Sequence, residues 1–328
     1  MTAEKQLDVI CMGRAGVDLY GEQIGGLLED MTSFAKYVGG CPANIAIGTA
    51  RMGLKSAILS RVGNEHMGRF IRQTMEQEGV DVSHLKTDED RLTALVILGI
   101  RDKETFPLVF YRENCADMAL CVDDFDADFI GSAKALVLTG THLSEPGVRT
   151  ASFKAAEYAK TQGTRIVLDI DYRPVLWGLT NPGLGEERFV ADEQVSQTLA
   201  DMLPWCDLIV GTEEEFHIAG GSTDTVTALK NVRATSAATL VLKLGPNGCT
   251  VFGGDIPDTL DGHPIYAGFP VEVFNVLGAG DAFMSGLLRG YVSGLDWQES
   301  CRLANACGAL VVSRHGCAPA IPSYQEVS

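Results

Sequence analysis

A chain of 328 residues with 46% hydrophobic content is long enough for one large α/β domain or for two domains. Its formal net charge of −17 argues against a general nucleic-acid or anionic-membrane surface, and any anionic substrate must find local positive groups against an unfavourable field. Nine scattered cysteines without a Cys-x-x-Cys pair, and six dispersed histidines, fit reduced thiols in a cytoplasmic setting better than a disulfide framework or a zinc site.

In chain order, Met1–Gln6 is polar and lacks the apolar stretch of a signal peptide, and no apolar run is long enough to span a bilayer. Leu7–Met12 reads as a buried strand and leads into Gly13-Arg14-Ala15-Gly16-Val17-Asp18; residues 15–38 are irregular. Gly39-Gly40-Cys41-Pro42-Ala43-Asn44 opens a predicted helix over Ala43–Met52, followed by a strand at Ser56–Val62 and a helix around His66–Glu78. Arg91–Tyr111 reads as a hairpin, with arms Thr93–Ile100 and Thr105–Tyr111 about the polar turn 101–104. Ala135–Thr139, Arg165–Ile170, Asp207–Val210 and Thr239–Leu244 are short apolar runs. Helical patterns at Val148–Thr161, Gln194–Leu203 and Val226–Thr235 separate them. The alternation predicts a mostly parallel sheet with helices on both faces. A β-rich run, Val271–Phe274, precedes two closing helices, Gly280–Ser293 and Trp297–Val312.

The strongest chemical signal is Gly278-Ala279-Gly280-Asp281. Glycines let a backbone turn tightly and come close to a ligand, and a helix that starts there leaves peptide N–H groups free to hold phosphate. Asp281 adds a carboxylate at the same point, as a base that takes a proton from an attacking hydroxyl would require. A helix N-terminus should lower its pKa, which a loose phosphoryl-transfer transition state tolerates. A plain N-cap aspartate is the competing explanation.

Together, the two glycine-rich loops resemble the signatures of the ribokinase-like (PfkB) carbohydrate kinases. Gly39, Gly40, Asn44, Ala46, Gly53 and Gly63 match the first signature; Asn275, Gly278, Ala279, Gly280, Asp281, Ser285 and Gly286 match the second. The resemblance extends from Leu7 to Pro322. It implies a three-layer α/β/α core formed by residues 1–14, 39–90 and 117–328. Residues 15–38 and 91–116 would form a small β-lid that excludes water from the sugar site. An ordinary hairpin insertion is the alternative for the second of these segments.

The same resemblance implies site roles. Asp281 would be the base, and the amides around Gly278, Ala279 and Gly280 would hold the migrating phosphoryl group. Asp18, Gly39, Gly40 and Asn44 would face the sugar. Lys243, Gly245, Gly248, Asn305 and Gly316 would lie along ATP, and Glu215 would help position magnesium-phosphate. Thr212 stands where the family usually has Asn, and Asn275 where it most often has Asp, which bears on the family's monovalent-cation site. Two further runs, Tyr111–Ala116 and Asp169–Pro174 with Trp177, are similar to segments of the family's sugar-acid kinases. Their Arg112 and Arg173, with Arg14 as a third contact, suit a carboxylate because a guanidinium binds it bidentately. The implied reaction is ATP-dependent phosphorylation of the C6 hydroxyl of 5-dehydro-2-deoxy-D-gluconate, as in myo-inositol breakdown, with 2-dehydro-3-deoxygluconate as the alternative substrate. The implied partners are a sugar acid and ATP, with no nucleic acid or membrane; lids in the family often pair into homodimers.

Two readings from other classes remain at this point. A dinucleotide-dependent oxidoreductase would need Gly-x-Gly-x-x-Gly, and Phe283 ends the match. A non-catalytic sugar or nucleotide sensor on the same scaffold is opposed by the intact Asp281 turn. No Gly-Lys dipeptide occurs, which removes a P-loop kinase.

Overall fold

The computed structural model describes residues 5–102 and 105–328; Met1–Glu4, and Lys103 and Glu104 of the predicted polar turn, lie outside the described residues. In chain order the strands begin with β1 (Leu7–Met12), β2 (Gly16–Gly21), β3 (Phe34–Gly39), β4 (Ser56–Gly63), β5 (Asp81–Asp88) and β6 (Ala94–Leu98). They continue with β7 (Leu108–Tyr111), β8 (Ala133–Thr139), β9 (Arg165–Asp169), β10 (Leu208–Thr212), β11 (Thr239–Lys243) and β12 (Cys249–Phe252). The first five helices are α1 (Cys41–Arg51), α2 (His66–Gln77), α3 (Ala127–Gly131), α4 (Pro146–Gln162) and α5 (Glu193–Met202). The rest are α6 (Glu213–Gly220), α7 (Thr225–Thr235), α8 (Ala279–Ser293), α9 (Trp297–Val312) and α10 (Tyr324–Val327).

Eight strands form the central sheet, in the order β12-β11-β10-β9-β8-β1-β4-β5, and every pair is parallel except β11–β12. The parallel arrangement follows from burial on both faces, which needs strands with no polar side. Along β1, Val9 and Cys11 enter one core while Ile10 and Met12 enter the other. The first core also holds Ile45 of α1, Ile71 of α2 and Leu287 of α8. The second holds Ala155 of α4, Leu199 of α5 and Leu229 of α7. A second sheet, β3-β2-β6-β7, pairs β2 with β3 and β6 with β7 antiparallel, and β2 with β6 parallel.

Three expectations need correction. Val271–Phe274 is not a strand: Val271 is exposed, and the backbone there reaches Val312 O through the N–H groups of Phe274 and Asn275. Those two N–H groups are spent on the last carbonyl of α9 rather than on a strand partner. Residues 15–38, read as irregular, contain β2 and most of β3, and Asp18 lies inside β2. The edge strand β5 was not expected, because its exposed positions, Asp81, Ser83 and Thr87, are polar and its pattern does not stand out as apolar.

The strand order positions the site. β1 has β4 on one side and β8 on the other, so the connections diverge at the C-terminal ends of β1 and β8. Such a switch point leaves a crevice where open parallel sheets bind ligands.

Helices α8 and α9 approach closely because their contact is built from small residues. A Cβ on Gly286 would lie 2.5 Å from Leu303 O, and one on Gly290 would overlap Ser300. Gly286→Val is therefore expected to cost roughly 1–3 kcal/mol by overpacking, read as a lower urea midpoint at constant slope. An unchanged midpoint would show that α9 can shift without loss.

Candidate active site

At the switch point a cavity of about 380 Å³ is lined by residues from the C-terminal ends of the parallel strands. Arg14 follows β1, Asp171 and Arg173 follow β9, Glu215 lies in the first turn after β10, and Lys243 ends β11. Asp281 enters from the first turn of α8. The second sheet supplies the facing wall through Asp18, Tyr20, Leu98 and Phe110.

The start of α8 is shaped by its turn. Gly278 has φ +80°, and a Cβ there would overlap Cys317 Sγ, so glycine is required twice over. Asn275, fully buried, holds the turn: its Oδ1 accepts Leu277 N–H (2.9 Å) and its Nδ2 donates to Arg314 O (2.7 Å). The N–H groups of Gly280 and Asp281 find no acceptor among the described residues. A Cβ on Gly280 would meet only Lys243 Nζ, at 3.6 Å, so this face of the turn opens into the cavity.

The Asp281 carboxylate is oriented by Asn44 in the first turn of α1, whose Nδ2 donates to Oδ2 at 2.7 Å. Cys317 Sγ approaches the same oxygen at 3.7 Å, the Cys41 thiol also interacts with the carboxylate, and Oδ1 has no nitrogen or oxygen partner among the described residues. Burial and the nearby Asp171 raise the Asp281 pKa, although Asn44 and Arg14 oppose the shift. This reverses the expectation of a lowered value. The helix start acts on a carboxylate that is desolvated and faces a second acid, and those two effects win.

Beneath the cavity runs a chain of alternating charges. Arg14 donates to Asp171 Oδ2 at 2.8 Å, and Asp171 Oδ1 lies 3.6 Å from Arg173. Arg173 lies 3.8 Å from Glu215 Oε1, and Lys243 Nζ lies 3.3 Å from Glu215 Oε2 and 3.5 Å from Asp169. Burial works against the charge of Lys243, but Asp169 and Glu215 outweigh it and push its pKa up. Burial opposes Glu215 as well, and there Lys243 and Arg173 prevail and hold its pKa down. Asp169 goes the other way, lifted by burial to about 7 despite Lys243. Thr212, the departure from the family pattern, caps α6: its N–H donates to Glu215 Oε2 (2.8 Å) and its hydroxyl accepts Glu215 N–H (3.3 Å). Asp171 takes a left-handed conformation (φ +37°), costly for a residue with a side chain, and Thr141 bonds its carbonyl.

Of the other sugar-side residues, Gly40 (φ +95°) caps α1 and lines the cavity, and Gly39 leaves the space that the Asp18 carboxylate fills. Arg112 departs from expectation: it does not line the cavity, and its Nε (2.9 Å) and a terminal nitrogen (2.8 Å) bind the buried Asp117. Asp117, five residues on, offers a carboxylate that an isolated reading of Arg112 leaves out. On the expected nucleotide side, only Lys243 lines the cavity. Gly245 and Gly248 (φ +57° and +97°) form the turn after β11, and Gly316 (φ +88°) packs near Tyr37. Asn305 uses its Nδ2 on Tyr266 O (2.9 Å) and Ala267 O (3.1 Å). Sequence reasoning missed Asp171 and Arg188, both of which line the cavity. Asp171 sits in the Asp169–Pro174 run that was read for its arginine, whereas Arg188 lies in an irregular segment with no periodic signal.

The family profile described as pfkB family carbohydrate kinase matches residues 6–323. The chain belongs to this family, and it is a sugar kinase. It is 35% identical to the 5-dehydro-2-deoxygluconokinase of Shouchella clausii (strain KSM-K16), over 98% of this chain and 95% of that one. It is 31% identical to the 5-dehydro-2-deoxygluconokinase of Bacillus subtilis (strain 168), over 99% and 95%. Among solved structures it resembles a PfkB protein from Polaromonas sp. JS666 (TM-score 0.81, 28% identity, 98% and 99% covered). It also resembles the fructokinase of Vibrio cholerae O395 bound to fructose, ADP and calcium (TM-score 0.80, 26% identity, 99% and 100% covered). The fold is thus ribokinase-like, and the oxidoreductase and non-catalytic readings fall away.

Burial lifts Asp18 from 3.8 to about 7, with Asp281 adding to the shift and Arg14 opposing it. The fold prefers its neutral form, so its contribution to stability is present at low pH and is lost as pH rises from the unfolded value through about 7. Asp18→Asn is expected to raise the thermal midpoint more at pH 8 than at pH 5. Equal shifts at the two pH values would show that Asp18 ionises normally.

Proposed function

We propose that this kinase transfers the terminal phosphoryl group of ATP to the C6 hydroxyl of 5-dehydro-2-deoxy-D-gluconate. The observation that carries the reaction is the pairing, at one end of the cavity, of an uncommitted carboxylate oxygen on Asp281 with the free N–H groups of Gly280 and Asp281. The names of the relatives support the choice of acid, as do Arg14 and Arg173 on the cavity wall.

In this reaction Asp281 Oδ1 accepts the proton of the C6 hydroxyl while Asn44 holds Oδ2. The free amides and Lys243 meet the charge on the phosphoryl oxygens, which is where preorganised donors lower the barrier most. A raised pKa makes Asp281 a better base than an exposed aspartate. Asn44 Oδ1 and Arg14 Nε are buried without partners, so each has a bonding position left for a substrate oxygen. Gly39 and Gly40 bring backbone to the same wall. Residues 15–38 and 91–116 serve as the lid, since the second sheet closes the cavity opposite the strand ends.

ATP would enter over Lys243 and the Gly245–Gly248 turn, with Asn305 and Gly316 supporting the surrounding backbone. No group of three or more potential metal-binding side chains occurs among the described residues. A magnesium ion would therefore be held mainly by nucleotide phosphates, with Glu215 nearby, as is usual for this ion. A monovalent cation beside Asn275 would have to rely on carbonyl oxygens, because both ends of that amide are engaged. Replacing K⁺ by choline in the assay tests for it. The nine free cysteines fit a reducing, cytoplasmic compartment. Exposed Ile24, Leu27 and Phe34 around β3 fit a homodimer formed through the lid, which light scattering would reveal.

Asp281→Asn should lower kcat by roughly 10²–10⁴-fold without lowering the thermal midpoint, since it removes a buried charge. Near-wild-type kcat would refute the base. Gly280→Val, in contrast, adds bulk where only the cavity is filled. It should melt near wild type yet lose most turnover, and parallel loss of both would return the turn to a structural role. The identity of the acid is decided by kcat/KM for 5-dehydro-2-deoxy-D-gluconate against 2-dehydro-3-deoxygluconate, which the proposal requires to favour the former.

A further inference from the structure

Arg188 lines the cavity but makes no ion pair or hydrogen bond among the described residues. It lies in the irregular segment 178–192, between the short turn Pro174–Trp177 and α5. The segment is nevertheless anchored on both sides of it. Gly185 N–H donates to Leu108 O of β7 at 3.2 Å, and a Cβ on Gly185 would lie 2.5 Å from that same oxygen. On the other side, Tyr172 Oη donates to Val190 O at 2.5 Å, and the Phe189 ring meets His217 of α6 edge-on at 6.3 Å. Arg188 is thus carried by a strap that joins the second sheet to the strand ends of the central sheet.

Its surroundings call for an anion. The first influence on Arg188 is repulsion from Arg173, which together with burial lowers its pKa to about 10; Glu215, Asp171 and Glu186 pull the other way. It therefore stays charged at neutral pH. The nearest carboxylates are already shared: Asp171 with Arg14 and Arg173, and Glu215 with Lys243 and Arg173. Arg173 itself is held loosely, at 3.6 and 3.8 Å. Two guanidinium groups beside one cavity, one loosely paired and one unpaired, suit an anion that accepts from both. The strap reaches β7, on the lid wall where the proposed acceptor lies, whereas the phosphoryl end is marked by Lys243 and Gly280.

We propose that Arg188 binds the carboxylate of the acceptor jointly with Arg173, and that Arg188 is the main source of selectivity for a sugar acid over a neutral sugar. This rests on the proposed reaction and names the group in that same site that reads the acid. The shared chemistry is an anionic oxygen, which a nucleotide phosphate also presents, so the test separates the two sources.

Arg188→Met and Arg188→Lys are compared with the wild type in steady-state kinetics on 5-dehydro-2-deoxy-D-gluconate, on its neutral primary amide, and with ATP varied. Arg188→Met is expected to raise KM for the acid roughly 10–100-fold. KM for ATP, kcat and turnover of the amide should change little, and Arg188→Lys should recover part of the loss. An unchanged KM for the acid overturns the proposal, and so does a rise confined to KM for ATP, which would make a phosphate the anion. Melting curves check folding, and little shift is expected because Arg188 has no ion pair or hydrogen bond among the described residues to lose. If the wild type phosphorylates neither keto-deoxy acid, the proposed reaction fails on its own. Calorimetric titration of 5-dehydro-2-deoxy-D-gluconate into the wild type and Arg188→Met then decides the role of Arg188 separately, with equal affinities overturning it.

Discussion

The site depends on the alternation of buried charges that runs from Arg14 through Asp171, Arg173 and Glu215 to Lys243 and Asp169. A single charge taken out of water costs several kcal/mol, and a pair recovers that only with good geometry. Here Asp171 and Glu215 are each shared between two cations, and the end of β9 contributes three members while β1, β10 and β11 contribute one each. Removing Asp171 would leave Arg14 buried without an ion-pair partner, and removing Lys243 would do the same to Asp169, so the set specifies the cavity floor as a unit. The same desolvation lifts Asp169, Asp18 and Asp281 above their ordinary pKa. The cavity and its floor thus hold acids that take up protons more readily than exposed ones, beside cations that remain charged.

Close backbone approach is the second constraint. A Cβ on Gly48 would overlap Ser285, so α1 can lie against α8 only with glycine at that position. That contact brings Asn44 to Asp281, and Ser285 Oγ in turn bonds Asp281 O at 2.7 Å. Gly39 makes room for Asp18, and Gly278 for Cys317. Three glycines, two near the start of the chain and one near its end, therefore determine where two carboxylates and one amide converge.

The overall charge of −17 gives meaning to the few cations in the cavity. An anionic substrate and an anionic nucleotide both approach an acidic protein, so long-range steering works against them. Binding must come from short-range contacts inside the crevice that the second sheet walls on one side, where such contacts are stronger than at the surface.

Much of this was legible along the chain. Apolar runs such as Arg165–Ile170 marked strands because parallel strands buried on both faces carry an apolar pattern in themselves. The Gly278 turn stood out because an open backbone and a helix start are local properties. The second sheet was only partly legible: its β6–β7 hairpin showed, but β2 and β3 pair with partners distant in sequence. Val271–Phe274 had the composition of a strand, but its backbone bonds the end of α9 instead. Arg112 and Arg188 divide the two kinds of information most clearly. Sequence alone determined that arginines stand in segments suited to an acid substrate. Only the tertiary structure decided that Asp117 neutralises Arg112 while Arg188 faces the cavity unpaired, because a charge is committed or free according to what folds against it, and that depends on contacts rather than on order in the chain.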